Sequence, residues 1–152
     1  MKSIHTMTMN LATCLVSLLL VSCSPSPPAA LSEEKLLEGL AEMVQHGPFQ
    51  FKEKTWPLLV DKTVTYCGTI AEVEGTDADS SVTLNVEKTH AGEAVPWSLE
   101  GKSNSPELAR EYKVGDAIWM TGIFESYVTV QYYKPPYRGT VKLASWEKPA
   151  TS

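Results

Sequence analysis

The chain has no surplus of positive charge and few of the residues that usually do chemistry. Lysine and arginine number 13 against 18 aspartates and glutamates, a formal net charge of −5. That balance argues against a protein that grips nucleic acid through general phosphate neutralisation, because such binding draws on Lys and Arg. Histidines number three, and no acid and base are paired in the sequence, so no enzymatic constellation is visible. Nothing implies a cofactor or a metal. His90 lies in a loop with only Glu87 and Glu93 near it, and a metal site would need further ligands from elsewhere. Asp77-Ala-Asp-Ser-Ser81 has neither the glycine nor the distal glutamate of a calcium loop and reads as a turn. Internal repeats at a fixed period are missing. What is present is ordinary for a folded domain: 43% hydrophobic and 20% charged residues, with length for one domain or one domain plus a leader.

The N-terminal apolar run, Leu11 to Val21, is about 11 residues, too short for a spanning helix, which needs roughly 20, and right for a secretory signal. Lys2 and His5 precede it. Leu20-Val21-Ser22-Cys23 resembles a lipobox, the bacterial lipoprotein signal, in which the cysteine is lipidated and becomes the new N-terminus. The resemblance implies a signal peptide over 1–22 and a fatty-acylated Cys23. It also implies attachment to the cell membrane, or to the outer membrane facing the periplasm where a cell has two. Residues 23–30, with Pro25, Pro27 and Pro28, read as a short semi-rigid tether. Cleavage removes Cys14 and lipid takes Cys23, so Cys67 is the only remaining thiol and no internal disulfide can form.

Residues 31–149 are expected to hold a helix followed by a small β domain. Ser32 suits an N-cap, Glu33 and Glu34 suit the positive end of the helix dipole, and Leu31 can staple to Leu36. Leu36, Leu40, Met43 and Val44 recur at helical spacing, and His46 with Gly47-Pro48 should end the helix. From Leu58 the period becomes two. Strands are expected around Val64–Ile70, Val82–Val86, Ala94–Leu99, Ala117–Phe124 and Thr140–Trp146, the third weakened by Pro96. Residues 74–80 form a hairpin loop, and 105–112 a short helix between strands three and four. Gly68 and Gly122 are expected at bends or bulges.

Five strands with a helix between the third and fourth is the element order of the OB-fold, a five-stranded barrel, although strand count alone leaves another small barrel or a sandwich open. Val64-Thr-Tyr-Cys-Gly-Thr-Ile, Tyr112-Lys-Val-Gly-Asp-Ala-Ile-Trp-Met-Thr-Gly-Ile and Gly139-Thr-Val-Lys-Leu-Ala add a family resemblance. Together they resemble the tRNA-anticodon-like OB domains of exported bacterial lipoproteins. The resemblance covers roughly residues 58–146 and implies a mainly β domain of that kind, with no tRNA contact implied for an exported protein.

The segment after the fourth strand, Ser126 to Arg138, concentrates the candidate ligand-binding residues: Tyr127, Tyr132, Tyr133, Lys134, Tyr137 and Arg138. Aromatic rings flanked by cations suit stacking against a glycan, single-stranded nucleic acid or a protein partner. The same residues also suit a plain hairpin packed on Trp119 or Trp146. The expectation is a non-catalytic binding module for an envelope protein or glycan, with the acidic balance against nucleic acid. The alternative is a structural lipoprotein of an envelope assembly.

Overall fold

A computed structural model describes residues 30–130 and 132–150. The leader, Cys23 and tether residues 24–29 lie outside the described residues. β1 (Ala30–Leu31) runs parallel to the start of β2 (Thr63–Gly75), pairing Ala30 with Thr63 and Leu31 with Val64. Ser32 caps α1 (Glu33–Gln50), its hydroxyl accepting the Lys35 N–H at 3.2 Å, with Glu33 and Glu34 in the first turn.

The helix does not end at Gly47-Pro48. Gly47 takes φ 82°, ψ 168°, a left-handed conformation open to a residue without a side chain, and kinks the chain. Pro48 then starts a second arm, since its missing N–H costs nothing at a first helical position. The arm widens into a π turn over Phe51–Thr55 and closes with α2 (Trp56–Leu59). Leu58 is therefore helical, and the strand expected from there begins at Thr63. The reason is burial: Phe51 and Leu59 sink into the core, each contributing about 1.5–3 kcal/mol over exposure.

Five strands form the barrel: β2 (Thr63–Gly75), β3 (Ser80–Asn85), β6 (Trp97–Ser103), β7 (Ala117–Thr129) and β8 (Tyr137–Glu147). Their order is β2-β3-β6-β8-β7, and β7 pairs back onto β2, so the sheet closes. Only β6 and β8 are parallel in this ring; the other pairings are antiparallel. This is the strand order of an OB-fold barrel. Alternation fills it: Val64, Tyr66, Ile70, Leu84, Leu99 and Phe124 are among the buried residues pointing inward.

Three further expectations need correction. The third barrel strand is Trp97–Ser103, because Pro96 leaves Ala94 to a small hairpin of β4 (Thr89–His90) and β5 (Glu93–Ala94). The fourth and fifth strands extend into both ends of the Ser126–Arg138 segment, to Thr129 and from Tyr137, leaving residues 130–136 between them. Gly122 does sit at a bulge, where a Cβ would lie 2.1 Å from the Lys142 carbonyl oxygen, but Gly68 sits in regular pairing beside the Tyr66 ring.

The barrel has two distinct ends. At one, the helical arms cover the mouth: the Trp97 indole N–H donates to the Leu40 carbonyl at 3.0 Å, and Phe51 and Trp56 pack on Trp97 and Phe124. At the other lies α3 (Glu107–Glu111), whose Leu108 is buried and whose Ala109 packs against Gly75.

Candidate functional site

The candidate site grows from the β7–β8 hairpin at the helical end. Its register pairs Tyr127 with Gly139, Val128 with Arg138 and Thr129 with Tyr137. Because neighbours on a strand point to opposite faces, Tyr127 and Tyr137 share the inner side. The Tyr127 ring lies 5.2 Å from Phe51, 4.7 Å from Trp56 and 5.8 Å from Trp97, and Tyr137 lies 5.4 Å from Trp97. Burial pushes the Tyr127 phenol above its ordinary pKa. These two tyrosines belong to an aromatic cluster that ties helix, barrel and hairpin together. They pack on Trp97 rather than on Trp119 or Trp146; the Trp146 indole donates to Glu111 at 3.2 Å.

Beyond them the hairpin projects. The Val130 N–H donates to the Pro136 carbonyl at 2.7 Å, closing the tip. Tyr132 is fully exposed at 101% and Tyr133 is 66% exposed, with Lys134 exposed beside them. Tyr132 also holds φ 68°, which costs a residue with a side chain roughly 1–2 kcal/mol. A fully exposed ring in a costly backbone conformation contributes nothing to the core, and such outliers concentrate at functional sites.

Arg138 points the other way, onto the outer face of the sheet. Its Nε–H donates to the Ser98 hydroxyl at 3.4 Å, and its guanidinium reaches to 3.7 Å from the Glu72 carboxylate on β2. The side chain thus lies across β6 and β3. By register the same face carries Ser81, Thr83 and Thr140, with Lys102 opposite Lys142 and with Glu72, Glu74 and Glu100. At the far end the face opens into a groove of about 360 Å³ lined by Glu74, Thr76, Asp79, Glu100 and Lys102. The six candidates therefore separate into a packed base (Tyr127, Tyr137), a projecting tip (Tyr132, Tyr133, Lys134) and an arginine on the sheet. Sequence reading missed the polar face because its hydroxyl residues carry no local signal; only the register aligns them.

The other sequence candidates stay structural. Thr76 Oγ1 accepts the N–H groups of Ala78 at 3.2 Å and Asp79 at 3.0 Å, so the acidic loop is a hydroxyl-capped turn. His46 pairs with Glu42 at 3.0 Å one helical turn away, and His90 faces Glu93 across the small hairpin. Among the described residues no group of three or more His, Cys, Asp and Glu could hold a metal.

No protein-family model matches the chain, and no curated protein matches it. Solved structures do. A small single-stranded DNA-binding protein from Streptomyces coelicolor aligns over 60% of this chain and 98% of its own, at 11% identity and a TM-score of 0.47. An aspartyl tRNA synthetase from Entamoeba histolytica aligns over 59% of this chain at 12% identity and a TM-score of 0.45. The aligned part is 19% of that enzyme's length. An OBody bound to hen egg-white lysozyme aligns over 59% of this chain and 83% of its own, at 15% identity and a TM-score of 0.40. The barrel assignment rests on the strand order itself.

Proposed function

We propose that the chain is a non-catalytic binding module, held on a membrane through lipid on Cys23 and taking an envelope protein or glycan as its partner. In a cell with two membranes it sits on the outer one, facing the periplasm. The observation that carries the reading is the hairpin tip: Tyr132 and Tyr133 stand out from a base that Tyr127 and Tyr137 make rigid. Rings fixed on an ordered scaffold lose little conformational freedom on binding and offer large amphipathic contact area. The Streptomyces protein is named for single-stranded DNA; the outer face here sets Glu72, Glu74 and Glu100 against Lys102, Arg138 and Lys142, so it offers phosphate no excess of positive charge. A protein or glycan surface suits that mixture of rings, hydroxyls and both charges.

The test places a photoreactive residue at Tyr132 in the full chain in its own cells and identifies what is captured. Tyr133→Ala in the same protein should remove the captured partner while changing stability by no more than about 0.5 kcal/mol, the range for exposed substitutions. Capture that is unchanged by Tyr133→Ala, or no capture at all, would remove the tip from the binding surface.

A further inference from the structure

Exposed apolar side chains are placed unevenly on this molecule. Val44, Phe49, Leu58, Val128, Tyr132 and Tyr133 stand at the helical end of the barrel, while Val114 stands at the far end. Two of them belong to the arm of residues 48–59, which is two-sided: it buries Phe51 and Leu59 and leaves Phe49 76% and Leu58 66% exposed. Lys52 and Lys54 are exposed between these two, flanking an exposed Glu53, and none of the ion pairs among the described residues involves either lysine. Beside Leu58 a cleft of about 440 Å³ opens between the two helical arms, lined by Leu31, Gly39 and Leu59, with Lys54 on the side of the 48–59 arm and Lys35, Glu38 and Glu42 on the side of the first helix.

The position of the tether decides what covers this surface. Leu31, which lines the cleft, joins the barrel through β1, and Ala30 follows Cys23 by seven residues. Seven residues at full extension reach at most about 25 Å, so a lipid on Cys23 holds the cleft within that distance of the bilayer. We infer that the outer side of the 48–59 arm and its cleft rest on the membrane, with Phe49 and Leu58 entering the headgroup layer. Lys52 and Lys54 meet the lipid phosphates there. This inference rests on the proposed lipidation of Cys23. A segment with an exposed apolar side chain near each end and exposed lysines between them is suited to lying in the interface plane. Among the described residues no helix is long and apolar enough to cross a membrane, so the contact is superficial. A lipid tether alone leaves the barrel free to tumble; a second contact fixes which way its outer face and hairpin point.

The test uses the full lipidated protein in vesicles of phosphatidylethanolamine and phosphatidylglycerol. Cys67→Ser supplies the background, and nitroxide labels go on Phe49→Cys, Leu58→Cys and Val114→Cys. Val114 is the control, an exposed apolar position at the opposite end. Collision with oxygen, which concentrates among acyl chains, is compared with collision with a water-soluble nickel chelate. The oxygen-to-nickel ratio should be several-fold higher at positions 49 and 58 than at 114. Equal ratios at all three in protein whose Cys23 carries fatty acid overturn the inference and leave the anchor standing. Absence of fatty acid on Cys23 overturns the anchor and the inference together.

Discussion

Tyr127 and Tyr137 occupy the same hairpin as Tyr132 and Tyr133, and their environments are opposite. The first pair lies among Phe51, Trp56 and Trp97, and the second pair points into solvent. Residue type and local composition are alike, so neither explains the difference. Position relative to a distant partner does: the arm of residues 48–59 reaches the strand-paired part of the hairpin and stops short of its tip. The contrast teaches that an aromatic-rich segment is not a unit. Its base holds the fold, and its tip is free for another use.

The largest effect that would break this comparison is at the base. Tyr127→Ala should destabilise by about 2–3 kcal/mol, toward the lower end for truncating an aromatic because the ring is only partly buried, read as a shift of the urea midpoint. A shift as small as an exposed tip substitution gives would mean that the cluster does not tie helix to hairpin. Gly122→Ala tests the ladder that carries both pairs. Its Cβ would meet the Lys142 carbonyl at 2.1 Å, so the two strands must part, at about 1–3 kcal/mol. Gly68→Ala should cost less, because its neighbour is the movable Tyr66 ring at 2.8 Å rather than backbone. Equal losses in thermal melts of the two variants would remove the distinction between bulge and regular pairing.

The smallest effect is confined to alkaline solution. Burial pushes the Tyr66 phenol up to about 12 and holds Tyr127 above the ordinary 10.0. A pKa raised on folding contributes stability that is fully present below the unfolded value and is lost as pH rises through the folded one. Stability should therefore be level below about pH 10 and fall between there and about 12, followed by chemical denaturation at each pH. Tyr66→Phe should flatten most of that fall. An unchanged slope in Tyr66→Phe would place the alkaline sensitivity elsewhere.

Much of the barrel is legible in the sequence because its signals are local. Val82 and Leu84 alternate with polar neighbours, Thr76 and Asp79 mark a tight turn, and Ser32 with Glu33 and Glu34 marks a helix start. Gly122 sits at a bulge as expected, whereas Gly68, read the same way, lies in regular pairing, so the sequence alone does not tell the two apart. The arm of residues 48–59 is not legible, because Gly47-Pro48 is the usual signature of a helix end. Here the chain resumes after it only because Phe51 and Leu59 find the barrel mouth. The candidate site is half legible: its six residues stand together in sequence, but which of them pack and which project depends on that unread arm.

The sequence by itself determined the period of each strand, the capped first helix and the turn at residues 76–79. Each of these is settled by backbone conformation and by neighbours a few residues away. The tertiary structure alone decided the closure of β7 onto β2, the parallel pairing of β6 with β8 and the alignment of Ser98, Thr83 and Glu72 beneath Arg138. It also decided which tyrosines are core. These outcomes join residues dozens of positions apart, and strand periodicity states which face a side chain takes without stating which strand will lie beside it.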